Sequence, residues 1–123
     1  GVITNEKYIY FENQGSASSI MEEQSLTCSK VPIIDLSEVI ENCNPNIIKM
    51  DIEGSDMNAL IQMKEYIVDQ RPTLALSIYH QPNDLWEMPL YIHNISNGGY
   101  IFYLRQEGHW GLETQLYAIP SHL

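Results

Sequence analysis

Basic side chains are scarce: six Lys and Arg stand against sixteen Asp and Glu, a formal net charge of −10. Such a surface repels phosphate backbones and anionic headgroups, so neither nucleic acid nor a membrane is expected as the main partner. Cysteine is nearly absent. Cys28 and Cys43 stand in unrelated contexts, without CxxC or CxxxH spacing, which argues against a disulfide scaffold or a zinc site and makes a reducing cytoplasm the default compartment. No apolar run approaches the roughly 20 residues that span a bilayer. Gly1 to Lys7 carry no apolar signal core either. Glycine is sparse, and the one pair, Gly98-Gly99, follows a helical pattern and precedes a strand, the wrong order for a phosphate-cradling loop. No GxSxG, HExxH or Cys/His nucleophile pattern is present.

What is present suffices for a core. The 123 residues are one domain's worth or less, and 44% of them are apolar. Lys7 to Phe11 reads as a strand, Asn13 to Ser29 as a long polar loop, and Lys30 to Ile34 as a short extended segment that Pro32 places at an edge or a strand start. Asp35 to Ile40 can open a short helix that ends before Asn44-Pro45. From Asn46 the pattern sharpens. Ile47 to Ile52 is a mostly apolar strand closed by Glu53-Gly54. Ser55 can cap a helix running to Gln70, with Met57, Leu60, Ile61, Ile67 and Val68 on one face. Leu74 to Tyr79 reads as a parallel strand covered on both faces. Pro89 fits the first position of a further helix that stops at Asn97-Gly98-Gly99. Tyr100 to Leu104 and Gln115 to Ile119 close the chain as a hairpin. Alternating strands and helices followed by a hairpin predict an α/β sheet ending in antiparallel strands, half of a doubly wound domain.

In open α/β sheets, ligands bind beyond the carboxyl ends of the parallel strands. Two strand ends qualify. Asp51 and Glu53 are two apart, so in extended geometry both carboxylates project to one side. There they can hold a ligand ammonium, bind a metal or accept a proton, although acids beside a glycine also serve as plain helix-capping turns. His80 closes the next strand and suits a proton acceptor or a substrate hydrogen bond, although a solitary histidine there is often structural. His93, His109 and His122 have no companions at ligand spacing and read as surface residues. Trp86 could wall a pocket but is expected in the core, and Trp110 is expected to anchor its loop on the sheet.

Five segments, in order, resemble the FkbM family of S-adenosylmethionine-dependent methyltransferases: Ile48-Lys49-Met50-Asp51-Ile52-Glu53-Gly54, Arg71 to His80, Asp84 to Ile92, Tyr103-Leu104-Arg105 and Glu113 to Ala118. The likeness spans about Val31 to Pro120. It implies the C-terminal half of a Rossmann-like class I methyltransferase sheet, S-adenosylmethionine as cofactor, and methyl transfer to a hydroxyl oxygen of a sugar, glycolipid or related metabolite. Asp51 and Glu53 match the acids of the family's IKxDxEG motif, near the donor's methionine end and the acceptor, and His80 matches the histidine closing the following strand. The resemblance thus makes Asp51, Glu53 and His80 catalytic candidates, and Asp51, Gly15 and Ser16 cofactor-binding candidates, the last two through a loose match to a Gly/Ser loop.

The family's cofactor glycine loop and its ribose-holding acid belong to two strands upstream of anything matched here. The chain is therefore expected to be a single partial domain, residues 1–123, and Gly1-Val2-Ile3, without a start methionine, favours a fragment over a reduced homologue. Alone it is expected to be inactive and to bind the donor weakly or not at all. No metal is assigned: a variant with a divalent ion on Asp51, Glu53 and Asp56 ranks lower, because Asp56 is expected to point along its helix. The competing expectation is a non-catalytic half-domain acting in oligomerisation or protein interaction, with the edge of the Ile47 to Ile52 strand pairing with another copy or another protein.

Overall fold

The computed structural model describes residues 8–12, 19–21, 28–32, 35–106, 108 and 113–121. Strands β1 (Tyr8–Glu12), β2 (Ser19–Met21) and β3 (Cys28–Pro32) form an antiparallel sheet in the order β2-β1-β3. The stretch expected to be one long loop therefore contains β2 and the start of β3. Its polar composition hid them, because a strand held by backbone pairing such as Phe11↔Ile20 needs no apolar run.

The main sheet follows. Helix α1 (Leu36–Cys43) is capped by Asp35, whose carboxylate accepts the Ser37 N–H at 2.8 Å. Then come β4 (Ile47–Met50), α2 (Asp56–Gln62), α3 (Lys64–Gln70), β5 (Thr73–Ser77), α4 (Asp84–Ile95), β6 (Tyr100–Gln106) and β7 (Thr114–Pro120). The sheet order is β4-β5-β7-β6. β4 and β5 are parallel, from Ile47↔Thr73 to Met50↔Leu76, with α2 and α3 in the connection between them, as expected. β7 inserts between β5 and β6 and runs antiparallel to both.

Several local expectations need correction. The helix after β4 is two helices, because Met63, with ψ 6°, bends the backbone between α2 and α3. The bonds Met63 N–H to Ala59 O and Ile67 N–H to Met63 O persist, so one face still turns inward. That face is Ala59, Leu60, Met63 and Ile67. Ile61 and Val68, expected on it, are exposed. Ser55 makes no side-chain cap bond. Pro89 lies inside α4, which begins five residues earlier at Asp84. A reciprocal turn starts that helix: Asp84 accepts the Gln81 N–H at 3.0 Å, and its own N–H bonds back to Gln81 O at 3.1 Å. The proline ring removes only the bond to the carbonyl of Leu85, an exposed position. Trp86 is half-exposed on α4, not in the core. α4 stops as expected, with Asn97 and Gly98 left-handed at φ 53° and 76° and the Gly98 N–H returning to His93 O at 2.9 Å.

The core lies on one side of the sheet. Met50, Leu74, Leu76, Leu116 and Ala118 share that face by register and pack with Leu60, Ile67, Met88 and Ile92 of the helices. On the opposite face Ile47, Ile101, Tyr103 and Ile119 remain exposed, while in β5 itself Thr73 and Ala75 are half-buried there and Ser77 is buried, so that face of β5 is partly rather than fully covered. At the strand starts, the buried Tyr100 hydroxyl donates to Pro72 O at 2.9 Å and ties β6 to the turn entering β5.

Candidate functional site

The backbone brings the acidic motif and the histidine together. β4 ends at Met50, Asp51 follows, and the chain reverses through Glu53 and Gly54, both left-handed at φ 51° and 87°. A left-handed glutamate costs energy that an ordinary turn would avoid, and such strain clusters at functional sites. β5, paired with β4 in parallel, delivers Tyr79 and His80 just beyond its own end at Ser77.

His80 is the hub. Its side chain is 7% exposed, with Nε2 3.2 Å from Asp51 Oδ1 and 3.6 Å from Glu53 Oε2. On the other side of the ring, Nδ1 lies 3.3 Å from Oδ2 of Asp56. These are ion-pair distances without hydrogen-bond alignment. Asp56 Oδ2 and both ring nitrogens are buried with no aligned partner among the described residues. Asp51 and Glu53, by contrast, are exposed and can meet a ligand. The Tyr79 hydroxyl donates to Asp51 Oδ1 at 3.3 Å.

Asp56 does not point along its helix. Its carboxylate turns inward, is fully buried, and Oδ1 accepts the Ile52 N–H at 3.4 Å. Burial pushes its pKa above 3.8, while His80 and the backbone N–H groups of Ile52, Gly54 and Asp56 pull it back. The Tyr79 phenol is also pushed above 10.0, by burial first and then by the negative charge of Asp51. Glu113, left-handed at φ 60°, adds a further negative charge beside Tyr79.

The residues expected from the sequence thus meet: Asp51, Glu53 and His80 converge on one strand edge. Gly15 and Ser16 lie outside the described residues, as do His109, Trp110 and His122. His93 is exposed on α4. Asp56 was considered only as a lower-ranked metal ligand pointing along its helix, and Tyr79 and Glu113 went unrecognised. The Asp51-x-Glu53-x-x-Asp56 spacing was a signal for Asp56, obscured by the habit of helix-first-turn acids to face water. Among the described residues no group of three His, Cys, Asp or Glu side chains is arranged to hold a metal ion. A separate cavity of about 340 Å³ between α1 and α2–α3, lined by Ile40, Glu41, Met63 and Tyr66 among others, shares no residue with the strand-end cluster. No helix among the described residues is long and apolar enough to cross a membrane.

The chain is similar to known proteins in two ways. Residues 4–102 match the Methyltransferase FkbM domain. A crystal structure of methyltransferase FkbM from Methylobacillus flagellatus KT superposes with a TM-score of 0.64 at 34% identity, over 72% of this chain and 23% of that one. The chain therefore spans about a quarter of that protein's length. No curated protein matches. With the family match covering most of its length and carrying the strand-end acids, the chain belongs to the FkbM methyltransferase domain family.

Proposed function

We propose that the protein transfers a methyl group from S-adenosylmethionine to a hydroxyl oxygen of a sugar, glycolipid or related metabolite, within the C-terminal half of a Rossmann-like class I methyltransferase sheet. The observation that carries this reading is the convergence of Asp51, Glu53 and His80 at the carboxyl ends of β4 and β5 in a chain of this family. The donor set is chemically suitable. Exposed carboxylates at Asp51 and Glu53, with Glu113 nearby, complement the cationic methionine end of the cofactor, and Asp51 is placed to accept from its ammonium. When bound, the cofactor supplies an electrophilic methyl on a positively charged sulfur.

The chain's own residues handle the acceptor. A carboxylate at the strand edge orients the hydroxyl so that its oxygen lone pair faces the methyl, and positioning of this kind supplies much of the rate. As the acceptor oxygen takes the methyl that the cofactor would supply, the hydroxyl proton would pass to Glu53, Asp51 or His80, which relieves the charge developing on oxygen. Tyr79 holds Asp51 in place through its hydroxyl.

The test uses the protein carrying this chain, methyl-labelled S-adenosylmethionine and a panel of hydroxyl compounds with their deoxy counterparts. Label should appear on oxygen, and the matching deoxy compound should remain unlabelled. Transfer to nitrogen or carbon acceptors alone, or to none of the panel, overturns the reading.

A second reading has its own observation. β4 is an outer strand of the described sheet, and Ile47 on it is 64% exposed. A strand edge of this kind pairs readily with another chain, so the domain would act in assembly. Sedimentation of the chain at rising concentration separates the two: a monomer throughout removes the assembly role.

A further inference from the structure

Asp56 is a carboxylate that the proposed chemistry does not use, yet its side chain is completely enclosed. Burying a carboxylate is costly unless its oxygens are engaged. Its two oxygens face different things. Oδ1 accepts the Ile52 N–H at 3.4 Å and so holds the turn that carries Glu53 and Gly54. Oδ2 has no aligned partner, and it sits 3.3 Å from Nδ1 of His80, whose two ring nitrogens are equally unpartnered and buried. Three buried polar atoms left misaligned around one ring are rare in a native interior and call for an explanation. Hydrogen bonds in catalytic sites are often long or poorly aligned before substrate binds and tighten in the complex.

We propose that Asp56 is the positioning residue of this site: its buried carboxylate receives the Nδ1 hydrogen of His80 and turns Nε2 toward Asp51, Glu53 and the incoming hydroxyl. This rests on the reading of the strand edge as the acceptor site. One carboxylate then sets two members at once, Glu53 through the turn and His80 through the ring, although they arrive on different strands. The hydrogen bond at one ring nitrogen decides which tautomer the imidazole adopts. With its hydrogen on Nδ1, the ring directs the Nε2 lone pair at Oδ1 of Asp51 and Oε2 of Glu53. The proton released by the acceptor as its oxygen is methylated is accommodated there, shared by Nε2 and the acids, and is returned to water when the product leaves.

The experiment is nitrogen–hydrogen correlation NMR of the His80 ring in the full chain, read for the singly protonated imidazole. The hydrogen should reside on Nδ1 in the parent. In Asp56→Asn the side-chain amide can donate to Nδ1, and the hydrogen should move to Nε2. A purely structural Asp56 would leave the tautomer unmoved. The parent spectrum decides alone if the variant does not fold: the hydrogen on Nε2 there refutes the proposal, as does an unchanged tautomer in a folded Asp56→Asn. Turnover separates this idea from the functional reading. If methyl transfer occurs, Asp56→Asn should lower kcat by ~10²-fold with little change in KM for the donor. If no transfer is found but the tautomer shifts as stated, the positioning role stands and the assigned reaction is what fails.

Discussion

The Tyr79 hydroxyl donates to Oδ1 of Asp51 at 3.3 Å, and this is the same oxygen that Nε2 of His80 approaches to 3.2 Å. Consecutive residues, with ring centroids 4.3 Å apart, thus converge on one atom of the neighbouring strand end. Of the two, only the tyrosine hydroxyl makes an aligned hydrogen bond, so Tyr79 is what holds Asp51, whose carboxylate is open to solvent. Tyr79→Phe should leave the fold intact and lower turnover by ~3–10-fold, in line with loss of a hydrogen bond to a charged group supported elsewhere. Steady-state kinetics beside a thermal melt would check both halves of that expectation.

Charge removal at the strand edge should cost more. Asp51→Asn and Glu53→Gln should each reduce turnover by ~10²–10⁴-fold if the carboxylate accepts the proton, and His80→Ala less, since two acids remain. Turnover equal to the parent in all three variants, with folding preserved, would make these residues structural.

Asp56 makes the stability of the domain depend on pH in a definite direction. Its folded pKa lies above 3.8, so the folded protein holds this proton more tightly than the unfolded chain. The advantage is fully present below pH 3.8 and is lost as pH rises through the raised folded value. Urea midpoints measured across that range should therefore fall, relative to Asp56→Asn, as the pH increases. A difference between parent and variant that is flat with pH contradicts the burial argument.

Gly54 meets two constraints at once. Its φ of 87° is ordinary for glycine alone, and a β-carbon there would lie 3.0 Å from Nε2 of Gln81. The Gln81 side chain can swing aside, so the backbone strain dominates, and Gly54→Ala should cost about 1–3 kcal/mol. Chemical denaturation measures the cost. Because the neighbouring Glu53 shares the turn, turnover should drop as well.

The Tyr100 hydroxyl is a stability element remote from the chemistry. Tyr100→Phe leaves the carbonyl of Pro72 buried without its donor, at a cost of about 1–3 kcal/mol. Burial also pushes this phenol up to about 12. Its contribution is complete below pH 10.0 and is lost as pH rises through about 12. Alkaline melts should show this loss in the parent and not in the variant.

Which features the sequence disclosed follows from how local their causes are. The strand ends bearing Asp51, Glu53 and His80 were legible, because an apolar run stopping at a polar turn marks the carboxyl edge of a parallel strand. The parallel pairing of β4 with β5 followed from the helical segment between them. The inward turn of Asp56 was hidden because an acid in a first helical turn usually faces water, whereas this one meets the Ile52 N–H and His80 arriving from β5. Pro89 was misplaced because its preference for a helix start is statistical. The Gln81–Asp84 turn that begins α4 upstream is built from side chain and backbone, and hydrophobic periodicity does not report it. The insertion of β7 between β5 and β6 depends on pairings distant in the chain.

The sheet has a side packed under helices and a more open one, and this divides the strands into positions of unequal mutational tolerance. In β6, Tyr100 is buried and Phe102 half-buried on the helix side, whereas Ile101 and Tyr103 stand outward on the opposite face. Alternate residues of one strand therefore carry very different constraints. Polar replacement outward changes little in the isolated domain, while one methylene lost inward opens a void the helices cannot close. A scan of substitutions along the main sheet should show a two-residue rhythm in stability, and any outward position that breaks the rhythm marks a surface where something else rests.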